Sequence, residues 1–339
     1  MIVFVYSYNV VAPKVVFIIM SIQELFSEGL LQVAKQPKNN ALDLASIGDT
    51  KVLFFPIDHD YPGGSAAMHN AVFERYDLPY RSCFVVGNPE NVGAIFAALK
   101  ADENYVGGGA GSGFKDKVAP HLDGLDQSAQ AIGSVNVIAR ENGKLIGYNT
   151  DGVGFVNGLL GEYADCIRGK KIVILGAGGT ALPIAYEMAQ NSPAEIVICN
   201  RTVNKAEHIA NLISAFCPAR GVGEDCINEE LATAGIVVNT SNKGAQPNEA
   251  YSAFAAMTGD PASDMAQSKA NLARLPADAI VADILLEPET TTLNMAKGNG
   301  NRTHSGQHMN LHQAVPAFKM ITKIDKPDDE LKETMSGAL

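Results

Sequence analysis

The stretch Lys170-Lys-Ile-Val-Ile-Leu-Gly-Ala-Gly-Gly-Thr-Ala181 decides the fold. Its first half, Lys171–Leu175, is a short apolar run of the kind that forms a strand buried on both faces. Gly176-x-Gly178-x-x-Ala181 follows, and a helix is expected over 181–190. Between a strand and a helix each small residue has a task. Gly176 permits the tight turn, Gly178 lets backbone approach a diphosphate, and Ala181 lets the helix pack closely on the strand. The helix start offers free N–H groups and a positive partial charge to an anion. A glycine triplet alone is only a turn. In this setting it predicts a dinucleotide site, with Gly176, Ala177, Gly178, Gly179 and Thr180 as cofactor-binding residues.

The next strand, over 195–199, sets the cofactor. An NAD site needs an acid at its end for the ribose 2′-hydroxyl. Here the strand runs into Asn200-Arg201-Thr202-Val203-Asn204-Lys205, with no carboxylate. Arg201 can stack on adenine and pair with a 2′-phosphate, and Thr202 and Lys205 can add donors. The competing reading is two solvated surface cations. Their place after the second strand favours NADP over NAD, with Asn200, Arg201, Thr202 and Lys205 as contacts.

Outward from this motif, strands are expected over 171–175, 195–199, 235–240 and 279–285, with helices over 181–190 and 205–216. Such alternation predicts a doubly wound parallel sheet, a Rossmann domain over 151–305. Upstream, 21–46 reads as helix plus polar linker. Strands are expected over 51–57, 81–86, 134–139 and 144–148, the last two joined by the Asn142-Gly143 hairpin signal. Helices fit 66–76 and 91–100. This is an N-terminal α/β domain over 21–150. An Ala-rich insertion with a helix is expected over 242–275, and a helix then a charged tail from 306 onward. The cluster Gly107–Gly113 spaces Gly108 and Gly113 like a P-loop, but Phe114 stands where Lys is required. It reads as a loop of closely approaching backbone that lines a cleft.

Composition narrows the class. A chain of 339 residues suggests two domains, and 46% hydrophobic residues suffice for packed cores. Charged residues at 19% are too few for a disordered chain, and a net charge of −11 argues against a nucleic-acid surface. Five cysteines with no C-x-x-C pair fit a reduced, intracellular setting. Residues 1–20 are rich in Val, Ile and Phe, but Ser7, Asn9, Pro13 and Lys14 interrupt them. A membrane span needs roughly 20 mostly apolar residues. This run is read as an N-terminal extension, and the protein as cytoplasmic. Of His304, His308 and His312, only the last two share a helix face, and no third ligand accompanies them, so no metal is expected.

Two further segments carry the chemistry: Gly113-Phe114-Lys115-Asp116 and Tyr148-Asn149-Thr150-Asp151-Gly152. Alone, Lys115 is a solvated lysine and Asp151 a helix N-cap. Beside a Rossmann half that starts just after Asp151 they become a candidate acid–base pair.

With these strings the chain resembles the shikimate/quinate dehydrogenase family from about Phe55 to Ile324. The marks are Ala67-Met-His-Asn70, Phe114-Lys115, Ala131-Ile-Gly-Ser-Val-Asn136-Val, Gly147-Tyr-Asn-Thr-Asp-Gly152, Gly176-Ala-Gly-Gly-Thr180, Asn200-Arg-Thr202 and His312-Gln-Ala-Val-Pro-Ala-Phe318. The resemblance implies an N-terminal substrate domain, a C-terminal NADP-binding Rossmann domain, and a last helix, within 306–339, that completes the substrate domain. It implies reversible hydride transfer between a ring hydroxyl of a shikimate- or quinate-like hydroxy acid and NADP. Lys115 would shuttle the hydroxyl proton, its pKa pushed down by burial. Asp151 would orient it and bind the reacting hydroxyl. Ser65, Asn136 and Gln313 match substrate-binding positions. Asn239-Thr240-Ser241 would lie near the nicotinamide ribose, and Met309 near the nicotinamide. The partner implied is a small molecule, and the protein a monomer or homodimer.

The chain departs from the family on the substrate side. Family members grip the carboxylate with Ser-x-Ser; here the positions are Gly63 and Ser65. The preceding loop is longer and holds His59, Asp60 and Tyr61. The family's Asn-Val-Thr before the lysine is Gly109-Ala110-Gly111. A site built on hydrogen bonds discriminates strongly by them, so altered substrate recognition is expected. A ligand-binding regulatory protein that has lost turnover is the alternative.

Overall fold

The computed structural model describes residues 20–35, 50–60, 64–285, 287 and 289–338. The expected extension at 1–20 falls outside these but for Met20, as does Gly63. The chain divides into two compact units. The first runs to Tyr148 and takes in Met320–Lys323; the second comprises Asn149–Lys319 and Ile324–Ser336.

The first unit contains α1 (Ile22–Ser27), β1 (Leu31–Val33), β2 (Lys51–Ile57), α2 (Ser65–Arg75), β3 (Tyr80–Gly87), α3 (Val92–Ala101), β4 (Tyr105–Gly109), β5 (Gly124–Leu125), α4 (Gln127–Ile132), β6 (Val137–Glu141) and β7 (Lys144–Tyr148). Its seven strands form one mixed sheet in the order β1-β3-β2-β4-β6-β7-β5. β2 is parallel to β3 and β4, whereas β6 runs antiparallel to β4 and β7. Every β2 residue after Lys51 is buried, as its apolar sequence requires. Phe54, Tyr105, Phe96 and Phe114 fill the core beside it. Each such side chain contributes roughly 1.5–3 kcal/mol by leaving water.

Two expectations are corrected here. Leu31–Val33, expected as helix or linker, is a strand that pairs antiparallel with β3. The glycine cluster is not a loop throughout: Gly107–Gly109 form the end of β4, an interior strand between β2 and β6. Glycine is needed because the neighbouring backbones leave no room. A Cβ on Gly108, whose φ is +139°, would fall 2.0 Å from the Phe54 carbonyl oxygen. Close backbone approach was the right physics, realised inside a sheet.

The second unit contains α5 (Asp151–Glu162), β8 (Lys171–Leu175), α6 (Ala181–Ala189), β9 (Glu195–Cys199), α7 (Val203–Ile213), β10 (Ala219–Val222), α8 (Ile227–Leu231), β11 (Ile236–Asn239), α9 (Pro261–Leu272), β12 (Ile280–Asp283), α10 (Thr291–Gly298), β13 (Arg302–His304), α11 (Gln307–Thr322, its last turn counting with the first unit) and α12 (Asp328–Ser336). Six parallel strands lie in the order β10-β9-β8-β11-β12-β13. That order reverses direction between β8 and β11, the switch point at which such sheets bind ligands. Asp151 is the first residue of α5 rather than its cap, which is Thr150. The charged tail beyond 327 is helical, with Leu331 and Met335 buried on one side.

The fit at β4 can be tested. Gly108→Ala is expected to lower the unfolding free energy by about 2 kcal/mol or more, through overpacking and a positive φ. A urea-unfolding midpoint equal to that of the wild type would show that β4 can give way.

Candidate active site

In the second unit the predicted cofactor residues meet at the carboxyl ends of β8, β9 and β11. Gly176 has φ +114°, and a Cβ there would come within 3.1 Å of the Ser241 nitrogen and of Thr240 Oγ1. The turn is held from both sides. Gly176 N donates to the Cys199 carbonyl (2.8 Å), and Thr240 Oγ1 donates to the Gly176 carbonyl (3.0 Å). Asn200 ties this turn to the next loop. Its Oδ1 accepts from Ala177 N at 3.1 Å, and its Nδ2 donates to the Thr202 carbonyl at 2.9 Å.

Gly178 and Gly179 differ from Gly176. Both are exposed, and no protein atom lies within 4 Å of a Cβ on Gly179. Packing does not demand glycine at 179, and the open space beside it leaves room for a ligand. α6 starts beside them with no side-chain cap at Thr180 and no acid in its first turn. Its N–H groups suit a diphosphate. Arg201, Thr202 and Lys205 are exposed, and neither cation has an ion-pair partner among the described residues. The residues present therefore fit NADP: a bare glycine cradle, an open helix start and two unengaged cations where an NAD site keeps an acid.

A buried carboxylate, not anticipated from sequence, stands behind the cradle. Asp283 ends β12 and is fully buried. It accepts from Asn239 Nδ2 (3.1 Å), Thr290 Oγ1 (2.8 Å) and Leu285 N (3.0 Å). Asn239 Oδ1 in turn accepts from Ser241 N (2.9 Å) and Ser241 Oγ (2.7 Å). The carboxylate thus fixes the loop that closes on Gly176. Burial pushes its pKa up to about 6, against the opposing pull of these hydrogen bonds. An Asp closing an apolar strand was the available signal. Nearby, Lys243 is also buried, paired with Glu224 at 2.7 Å.

Met309 is buried at the start of α11, its N–H donating to the Gly306 carbonyl at 3.0 Å. Gln313, one turn on, packs its Cβ where a side chain on Gly154 would stand. Its Nε2 donates to Asn310 at 3.0 Å, and its Oε1 is buried with no partner among the described residues. That acceptor suits a ligand donor. Asp151 is buried, its N–H turned onto Asn149 Oδ1 at 3.1 Å. His304 lies 2.8 Å from Glu162 and edge-on to Phe155, and no group of three ligating side chains for a metal occurs among the described residues.

In the first unit Lys115 is half-buried, less than expected. Its backbone is pinned on both sides. Its N–H donates to the Gly111 carbonyl (3.1 Å), and its carbonyl accepts from Val135 N (3.0 Å). Phe114, fully buried, anchors the turn. Asn136 shares this end of the sheet, its carbonyl accepting from Ala110 N at 3.2 Å. Ser65 opens α2 at the same end.

The missing family side chains at 109 and 111 have a structural cause. A Cβ on Gly109 would lie 2.6 Å from the Phe55 ring, and one on Gly111 would lie 2.3 Å from Ile57 Cγ2. β2 has filled the space with apolar groups.

Comparison with known proteins agrees with this architecture. Residues 55–138 match the family model of the shikimate dehydrogenase substrate-binding domain, and 159–245 that of shikimate/quinate 5-dehydrogenase. The NADP(+) shikimate dehydrogenase of Alkaliphilus metalliredigens is 33% identical over 287 residues, covering 83% of this chain and 93% of that one. A crystal structure of a shikimate dehydrogenase in complex with NADP+ superposes with TM-score 0.71 at 30% identity, over 89% of this chain and 99% of the other. The shikimate 5-dehydrogenase of Listeria monocytogenes, in complex with shikimate and NAD, gives 0.74 at 26% identity, over 88% and 99%. Among the described residues no helix is long and apolar enough to cross a membrane.

The buried carboxylate makes a prediction about pH. A carboxyl whose folded pKa is raised stabilises the fold when protonated, fully below its unfolded pKa, and loses that contribution as pH climbs through the folded value. Asp283 moves from 3.8 to about 6, a difference of about 3 kcal/mol. Asp283→Asn cannot ionise. Its stability relative to wild type is expected to rise between pH 4 and 6 in urea titrations. A flat difference would refute the assignment.

Proposed function

The chain belongs to the shikimate/quinate dehydrogenase family, and from that premise we propose that it catalyses reversible hydride transfer between NADP and a ring hydroxyl of a shikimate- or quinate-like hydroxy acid. It is an NADP-dependent oxidoreductase acting on a CH–OH group. One observation carries the cofactor assignment: a Rossmann switch point whose second strand ends in Arg201 with no acid, beside a glycine turn whose exposed Gly179 no packing demands. The reading goes with a cytoplasmic protein, monomer or homodimer, that acts on small molecules and not on nucleic acid.

NADP, when bound, supplies the hydride acceptor for alcohol oxidation and the donor for the reverse. The protein supplies position and proton transfer. Gly176, Ala177, Gly178, Gly179 and Thr180 would hold the diphosphate, and Asn200, Arg201, Thr202 and Lys205 the adenosine end with its 2′-phosphate. Thr240 and Met309 would flank the nicotinamide end. Lys115 is assigned to take the hydroxyl proton as the C–H bond breaks, and to return it in the reverse direction. Its pinned backbone limits the search for a productive geometry. Asp151 is assigned to accept a hydrogen bond from the reacting hydroxyl. Ser65, Asn136 and Gln313 are assigned to the substrate's polar groups.

Reduction of NADP+ followed by the absorbance of NADPH, with shikimate, quinate and related hydroxy acids, tests the activity; no turnover with any of them would sink it. Lys115→Ala is expected to lower kcat by about 10²–10⁴-fold while the dissociation constant for NADP+ changes by less than about threefold. An unchanged kcat removes the role. Arg201→Ala should weaken NADP(H) about 10- to 100-fold, the worth of charge-assisted bonds to a phosphate, and far more than it weakens NAD(H). Equal losses for both would end the 2′-phosphate assignment.

A further inference from the structure

Lys243 is a buried charge on the loop that closes over the diphosphate turn. It stands four residues past β11, and its side chain is 10% exposed. Its ammonium donates to Glu224 Oε1 and to the Ala255 carbonyl, each at 2.7 Å. Glu224 stands two residues past β10, its side chain 16% exposed. The strand order β10-β9-β8-β11 sets β10 and β11 three spacings apart, roughly 14 Å. An ion pair that joins the loops after them spans the carboxyl ends of β9 and β8. Those ends lead into Asn200 and Gly176.

The backbone of Lys243 carries this anchorage into the cradle. Its carbonyl accepts from Asn239 Nδ2 at 3.0 Å, and its N–H donates to Ser241 Oγ at 3.3 Å. Thr240 stands between Asn239 and Ser241, and its hydroxyl donates to the Gly176 carbonyl. Past Lys243 the chain turns at Gly244 (φ +104°), whose carbonyl accepts from Thr291 N at 3.0 Å. The other side of the ion pair is tied to the loop after β9. The Val222 carbonyl accepts from Asn200 N at 3.0 Å, and a Cβ on Gly223 would lie 3.6 Å from Val203 Cγ2, at the start of α7.

Stability alone does not require a charge here. An apolar pair of similar volume serves a fold about as well as a buried ion pair, because desolvation offsets the attraction. Two charge-assisted bonds add direction, which an apolar contact lacks. We propose that Lys243, braced by Glu224 and the Ala255 carbonyl, is a positioning residue for the cofactor. It holds the Asn239–Ser241 loop where Thr240 can fix the diphosphate turn. A crevice set in advance binds without the cost of ordering its loops. The assignment rests on the NADP reading above.

The test is calorimetric binding of NADP+ to the full-length protein, beside urea unfolding. Lys243→Met/Glu224→Gln removes both charges and leaves neither uncompensated. It is expected to raise the Kd for NADP+ about 3- to 10-fold, with a urea midpoint close to that of the wild type. Glu224→Gln alone keeps a neutral acceptor and should fall between the two; it reads the same link if the paired variant does not fold. Thr240→Val cuts the contact with Gly176. On that background the paired change should add less than about twofold, because both act through one contact. A Kd unchanged in both Glu224 variants overturns the assignment, as do losses that multiply in full on the Thr240→Val background. A wild-type protein that binds no NADP+ overturns the NADP reading, and this assignment with it.

Discussion

The hydrogen bond from the Thr240 hydroxyl to the Gly176 carbonyl closes the point where the second sheet changes direction. β8 and β11 are adjacent there, but the chain reaches β11 only after building β9 and β10 on the far side. Their carboxyl ends therefore diverge into separate loops and leave a crevice. The crevice stays narrow because Gly176 has no side chain to hold Ser241 away. The neighbouring loops are fitted to this spacing. Asn200 reaches in from β9 to hold Ala177, and Asn239 folds its own loop inward through Ser241.

Holding that loop requires a charge in the protein interior. Asp283 is desolvated, and three donors compensate it only in part. At the opposite ends of the same strands, Glu230 bonds both Arg220 and Lys171, and Arg220 also meets Glu195. Arg220 and Glu195 are partly exposed, but Glu230 is buried and is compensated by two cations. Each end of the sheet thus holds a buried carboxylate, one met by neutral donors and one by cations.

How much of this was legible depended on burial. β8, β9, β11 and β12 are covered on both faces and announce themselves as unbroken apolar runs. The edge strands β10 and β13, Ala-Arg-Gly-Val and Arg-Thr-His, have no such pattern and passed unnoticed. β4 was hidden because three glycines give no strand signal; the crowding by Ile138, Phe54, Asn136 and Phe55 explains them. In α12 the signal was present: Leu331 and Met335 stand four apart among charges. The cofactor half of the site was readable because a diphosphate constrains backbone, and backbone constraints leave glycines in sequence. Lys115 and Asp151 gained their meaning only from the strings around them. Asp283 needed the fold, because Asn239, 44 positions away in the chain, reaches it only once β11 and β12 are paired.

Asn200 has a consequence for how such a protein can change over time. It carries the mechanical link between the diphosphate turn and the loop beyond β9, while Arg201, Thr202 and Lys205 are exposed and pack against no core. The residues proposed to choose the coenzyme are thus separate from the parts that hold the domain together. A lineage can exchange those three surface positions one at a time, keeping Asn200, without passing through an unfolded ancestor. On the proposed assignment, coenzyme preference is then among the most freely evolvable traits of the fold, even though the turn beside it is among the least.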